Sequence, residues 1–373
     1  MNIIKQAILS TILYYDTLNY PLTSFEVFKY LVNPLHVAGS HYFEDEPQKD
    51  SIRISEFNSG RKYEMEFNKI SLANIRKTLE DNELKKFIQE KNGFYFLRGR
   101  EDIIRTRINR QKIADQKWKK ARKIISLLQL IPYVRMVTVS GSLALNNTRE
   151  ESDIDVLIAV KSGRIWLTRF FVTVFLQLIG RRRHKNLTKD RICLNHYISD
   201  RNLEIKFKSL YNAQTYAHII PVLEINKGIY REFQKQNRWV KNYLVFWPSF
   251  ADLPRRQAGA TEDKPFFVET ANRTMHFKTI KINSFLLALA QIGEAILNNK
   301  LGNTFEKLSE KVQRKSIEKD PLTTKKGGRV TIDDTQLEFH PDSPERNVLD
   351  KYNQKMNKLG FKELAKEKDS GLL

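Results

Sequence analysis

The chain has one cysteine, Cys193, in 373 residues. An internal disulfide is therefore excluded, and so is a cysteine-based zinc site. The seven histidines are scattered, and the closest pair, His36 and His41, falls in a polar stretch. The spacing argues against a histidine-rich metal site. No apolar run is long. The longest, Ile165 to Ile179, is interrupted by Arg169 and Gln177, whereas a spanning helix needs ~20 apolar residues. A buried amphipathic helix without a membrane span is expected there. The first residues lack a signal-peptide pattern, so a cytoplasmic protein is expected. Acidic residues are also scarce: 43 Asp and Glu stand against 64 Lys and Arg, a formal net charge of +21. Such an excess points to a polyanionic partner: nucleic acid, nucleotide or an anionic surface.

Apolar residues make up 41% of the chain, enough for real cores, and the length favours two or three domains. Residues 1–100 read as three helices and a hairpin. Ile3, Ile4, Ala7, Ile8 and Ile12 have helical spacing. Thr23 and Glu26 form a capping box, and Ser71 caps a third helix. Asn92-Gly93 between two alternating runs marks the hairpin. That order predicts a winged-helix-like domain whose third helix, Ser71 to Asn82, carries Asn74, Arg76 and Lys77 beside Glu80 and Asp81. DNA binding is one use of such a domain, and contact between proteins is another. Residues 33–68, acidic and poorly periodic, are expected as an inserted loop. Residues 101–132 form a basic connecting helix ended by Pro132.

The chemistry concentrates in 133–210. An apolar run ending at Val139 reads as a strand, followed by Ser140-Gly141-Ser142 and a short helix. Glycine lets the backbone turn sharply and approach a ligand. With Ser142 as the expected cap, the turn's free amides face a phosphate. A second apolar strand carries Asp153 and Asp155. Two residues apart, both side chains face the same way. Like carboxylates so close repel unless a cation lies between them, and oxygen ligands point to Mg²⁺ or Mn²⁺.

Gly141-Ser142, the linker and Asp153-Ile-Asp155 resemble the signature of the polymerase-beta-like nucleotidyltransferase superfamily. Ser152-Asp-Ile-Asp-Val-Leu-Ile is most similar to the second strand of its minimal nucleotidyltransferases. The resemblance implies an α+β fold, a small mixed sheet flanked by helices. It also implies transfer of a nucleoside monophosphate from a nucleoside triphosphate such as ATP to a hydroxyl. Gly141 and Ser142 would take the phosphates, and Asp153 and Asp155 would be the metal-binding catalytic pair. The family's third carboxylate falls nearest Asn195, which is neutral and cannot act as a base. Glu204 is a second candidate for that position. Arg181, Arg182, Arg183 and Lys185 are the densest positive cluster and a candidate polyanion site. It follows a helix C-terminus, where positive charge is also favoured structurally.

Residues 211–320 read as helical, with Ala213 to Tyr243 helical in spacing and Ile280 to Leu297 as a core helix. Residues 321–373 read as a loose tail with a short strand at 329–332, a His340-Pro341-Asp342 turn and a short helix. The alternative to an enzyme is a winged-helix DNA-binding regulator whose core binds nucleotide without turnover. A third reading is a partner protein that keeps the fold.

Overall fold

The computed structural model describes residues 1–37, 51–54, 63–66, 70–184, 187–247, 279–319, 321, 328–341, 343–361 and 370. The chain folds into two compact units. The first comprises 1–106, 239–272 and 350–367, and the second 107–238, 273–349 and 368–373.

In the first unit α1 (Ile3–Thr17) buries Ala7, Ile8, Leu9, Ile12 and Leu13. Then come β1 (Leu22–Thr23), α2 (Ser24–Lys29) and α3 (Pro34–Val37). The capping box forms: Glu26 N donates to Thr23 Oγ1, and Thr23 N donates to Glu26 Oε2. β2 (Ser51–Ile54) pairs antiparallel with β3 (Tyr63–Glu66). The segment expected as an inserted loop thus contains a helix and two paired strands. Residues 38–50, 55–62 and 67–68 of it lie outside the described residues. α4 (Leu72–Leu79) is capped by Ser71, whose Oγ accepts from Asn74 N. β4 (Ile88–Lys91) and β5 (Phe94–Leu97) pair around Asn92 and Gly93, both at positive φ, as the hairpin turn demands. The sheet order is β1-β5-β4.

α5 (Asp102–Leu127) is one continuous helix. In the second unit follow β6 (Val134–Val139), α6 (Gly141–Ala144), β7 (Ile154–Val160), α7 (Ile165–Leu178), β8 (Ile192–Ser199), α8 (Leu210–Ala217), β9 (Ile220–Glu224) and α9 (Ile229–Gln236). α10 (Ser284–Leu297), α11 (Lys300–Glu318), β10 (Arg329–Ile332), β11 (Gln336–His340) and α12 (Glu345–Lys358) complete the chain order. The fold is mixed α+β. Its sheet has six strands in the order β10-β11-β8-β7-β6-β9, and only β7 and β8 run parallel. The core beneath it gathers Val137, Val139, Ile154, Val156, Ile158, Val160, Trp166 and Tyr197. That β7 is buried along Val156–Val160 explains its unbroken apolar run.

Three expectations about this half are corrected. The stretch 211–320 is not all helix, because Ile220–Glu224 is a strand on the sheet edge. Its Pro221 sits where an edge strand tolerates a missing N–H. The stretch 321–373 is not a loose tail: β10 and β11 extend the same sheet, with Leu337 fully buried. Alternation of period two over five residues is a weak signal, which is why β11 reads as coil. α10 is not a core helix, since only Ala290 of its 14 residues is buried.

Candidate active site

β6 ends at Val139, and Ser140 N donates to the main-chain oxygen of Asp155, 3.0 Å away. The chain then turns through Gly141 at φ +63°. A β-carbon there would lie 2.5 Å from Asp155 Oδ2. Glycine is therefore required twice, for the backbone region and for the room it leaves the carboxylate. The helix cap is Ser140 and not Ser142. Ser140 makes no side-chain capping bond, and Ser142 is the second residue of α6. Ser142 stays at the turn, and its carbonyl accepts from Asn147 N at 2.8 Å.

The loop between α6 and β7 is held from α5. Trp118 Nε1 donates to Asn146 Oδ1 and Arg110 Nη1 to Asn147 Oδ1. Lys117 is 2% exposed. Its ammonium donates to the carbonyls of Glu150 (2.9 Å) and Ser152 (2.7 Å) and to Asp190 Oδ1 (2.9 Å). Lys120 also binds Asp190. The carbonyl of Ser152 immediately precedes Asp153, so a buried cation fixes the backbone that presents the acidic pair.

Asp153, Asp155 and Cys193 each place a ligand atom within 4.8 Å of the others. The Asp155 carboxyl is pushed up to about 7 by burial and by the Asp153 charge, against the opposing pull of Arg183 and a hydrogen bond from Asn195. Cys193 is pushed up to about 12 by burial and by both aspartates, so it remains a thiol. A protonated thiol is no ligand for a hard cation. The donors left are two carboxylates, a set that fits Mg²⁺ or Mn²⁺.

Arg183, its side chain 47% exposed, reaches the acidic pair from the surface. Its Nη1 lies 3.1 Å from Asp153 Oδ2 and 3.2 Å from Cys193 Sγ. Within the expected polyanion cluster Arg183 pairs with Asp153, Arg181 and Arg183 are both exposed, and Arg182 accepts at its carbonyl from Arg191. Lys185 lies outside the described residues.

Asn195 reaches the site through an irregularity in β8. Asp155 faces Cys193 and Leu157 faces His196, so two steps of β7 match three of β8. Such a bulge re-aims a side chain. Asn195 hydrogen-bonds Asp155, and its Nδ2 also lies 3.2 Å from His340 Nδ1. Glu204 is not brought there. It is exposed and pairs with Lys208 at 2.8 Å.

Behind Asn195 lies a group that sequence reading missed. His196, Glu338 and His340 hold ligand atoms within 4.8 Å of one another, although the sequence argued against clustered histidines. Glu338 faces His196 across β8 and β11, and His340 is two residues along the same strand face. Gln336 Nε2 contacts both Glu338 Oε2 (3.0 Å) and His196 Nε2 (3.1 Å), so an amide fills the space between them. Glu338 Oε1 has no hydrogen-bond donor, and His340 Nε2 stands 3.8 Å from it. Burial and the Arg329 charge hold both imidazoles below their ordinary range, so they are neutral at pH 7. Burial pushes Glu338 up to about 7, against Arg329. The polar alternation Gln336, Glu338, His340 was the one signal available.

No described helix is long and apolar enough to cross a membrane. Neither a curated protein nor a solved structure matches the chain. Residues 119–240, which carry β6 to β9 and the Gly141–Asp155 contact, match the model of the nucleotidyltransferase domain family, and nucleotidyl transfer is the general chemistry this match supports.

Proposed function

We propose that the chain transfers a nucleoside monophosphate from a nucleoside triphosphate to an acceptor hydroxyl, with Asp153 and Asp155 holding Mg²⁺ or Mn²⁺. The observation that carries this reading is the absence of a β-carbon at Gly141 directly above Asp155 Oδ2. Phosphate oxygens approaching the Gly141-Ser142 turn would meet a cation held by that same carboxylate. When bound, the ion polarises the phosphate and lowers the pKa of the attacking hydroxyl.

The chain's own groups divide the remaining work. Arg183 pairs with Asp153 at 3.1 Å and would share that carboxylate with a bound cation. Asn195 donates to Asp155 and cannot accept a proton. Asn195 is in turn held by His340, whose Nδ1 lies 3.2 Å from Asn195 Nδ2 and whose Nε2 faces Glu338 Oε1 at 3.8 Å. In this reading the hydroxyl oxygen bonds to the α-phosphorus, pyrophosphate leaves, and the hydroxyl proton passes to solvent water. The order of α1, α2 and α4 followed by the β4–β5 hairpin supports reading the first unit as a winged helix that positions a nucleic-acid or protein acceptor.

Incubation with each labelled nucleoside triphosphate, Mg²⁺ or Mn²⁺, and RNA, DNA or protein acceptors tests the proposal. Label should reach one acceptor class and be lost in Asp153→Asn. Nucleotide binding without transfer to any acceptor would instead establish the nucleotide-sensing regulator.

A further inference from the structure

α10 and α11 follow one another across Asn298-Asn299. Each bears an apolar row at spacings of four, three and four: Phe285, Leu289, Ile292, Ile296, then Leu301, Phe305, Leu308, Val312. That is the spacing of a helix face made for burial, yet the rows are open. Phe285 is 70% exposed, Ile296 62%, Leu301 63% and Val312 60%. The helices are fixed by their other sides. Glu294 on α10 binds Arg135 at 2.8 Å, and Glu306 on α11 accepts from the backbone amides of Trp166 and Leu167. Leu178, at the end of α7, is 80% exposed. With Ile296 and Leu297 it lines an open apolar cleft of about 440 Å³. Single exposed leucines are ordinary, but rows beside an apolar cleft mark a docking surface.

The exposed charges beside these rows are predominantly positive. The exposed positions of α10 include no charged residue. On α11 the exposed charges are Lys300, Lys307, Lys311 and Lys315, with Glu318 at the end. The other acids are engaged: Glu294 and Glu306 as above, and Glu310 with Arg314 at 2.8 Å. Arg181, exposed, stands just beyond Leu178. Two copies of this face would set lysine against lysine. An apolar row flanked by lysines whose stems can lie along it is instead the composition of a helix resting in an anionic bilayer interface.

We propose that the α10–α11 face, with the end of α7, docks on an anionic lipid surface, burying the apolar rows at the acyl boundary and setting the lysines among the headgroup phosphates. The cleft beside Leu178 is a place for an acyl chain or its end.

The test is co-sedimentation of the full chain with vesicles of phosphatidylcholine, alone and with phosphatidylglycerol. Binding to the anionic vesicles should be stronger by roughly tenfold or more and should weaken with salt. Lys307→Glu/Lys311→Glu/Lys315→Glu should abolish that preference, and Phe285→Ser/Ile292→Ser should weaken binding to both. All five positions are exposed, and an unchanged thermal transition verifies the fold. In the unaltered chain, vesicles should slow amide exchange of α10 and α11, which needs no variant. Equal binding to both vesicle types, or none, overturns the proposal. So does a dimer in solution that Ile292→Asp dissociates, which would give the face to a second copy. Polyglutamate competing as well as anionic vesicles would give it to an acidic protein.

Discussion

At Gly141 a single hydrogen separates a working turn from a collision. Gly141→Ala would place a methyl 2.5 Å from Asp155 Oδ2 in a backbone region that L-residues resist. The expected cost is about 1–3 kcal/mol of stability, together with loss of Mn²⁺ binding in a titration. Retained Mn²⁺ affinity would contradict the site. Asp155 also makes stability pH-dependent. Its folded pKa, about 7, lies above the ordinary carboxylate value. The folded chain therefore holds the proton more tightly than the unfolded chain. This contribution is full at low pH and is lost as pH rises through the window up to about 7. Without metal, the melting temperature should fall from pH 5 to pH 7.5, and Mg²⁺ should restore more of it at pH 7.5 than at pH 5. Glu338 titrates in the same sense, so Asp155→Asn should remove only part of the slope but all of the Mg²⁺ effect. An unaltered Mg²⁺ response in that variant would place the cation elsewhere.

Among elements, α5 does more than connect. Lys117 binds two loop carbonyls and Asp190 from within the protein. Replacing it with methionine strands Asp190 beside Lys120 alone and leaves the carbonyl before Asp153 to the Asp190 amide, 3.4 Å away. A loss of about 3–5 kcal/mol is expected from denaturant unfolding, as for other buried pairs deprived of one partner, with weaker Mn²⁺ binding even where the chain is folded. A variant as stable as the parent would show that α5 merely passes by. The sequence showed a basic helix there but not which lysine turns inward, because charge pattern alone does not report burial. The same limit applied elsewhere. Gly141, Asp153 and Asp155 were legible because a strand, a turn and paired carboxylates are all local features. Arg183, Asn195 and His340 meet at the site only through strand pairing and the β8 irregularity, which no local pattern encodes. α10 erred in the other direction: its periodicity is that of a core helix, and periodicity cannot say whether a partner belongs to the same chain.

At the scale of the molecule, the chain does not finish one unit before starting the next. The first unit takes residues from three stretches, 1–106, 239–272 and 350–367, whereas the sequence placed a self-contained domain in 1–100. The later stretches are bonded into it. Asn33 N donates to the Tyr243 carbonyl at 2.7 Å, and Asn33 Nδ2 to that of Lys241 at 2.7 Å. Ser10 Oγ and the Tyr352 hydroxyl lie 2.6 Å apart. Lys355 pairs with Asp16, which is also bound by Arg100 at 3.1 Å. Trp239, Leu244, Tyr352 and Met356 are buried there. A fragment of residues 1–100 would therefore expose apolar surface that these residues cover, leave Asn33 and Ser10 without their partners, and keep Asp16 with Arg100 as its only named cation. Each fully buried large side chain removed is worth about 1.5–3 kcal/mol, a large part of the total for a small unit. The fragment should show no cooperative thermal transition by circular dichroism. The intact chain should lose stability in Tyr352→Ala by roughly 3–5 kcal/mol, although that residue is 342 positions from its Ser10 partner. A fragment that melts cooperatively and folds without the later stretches would show that the sequence boundary at residue 100 was the physical one.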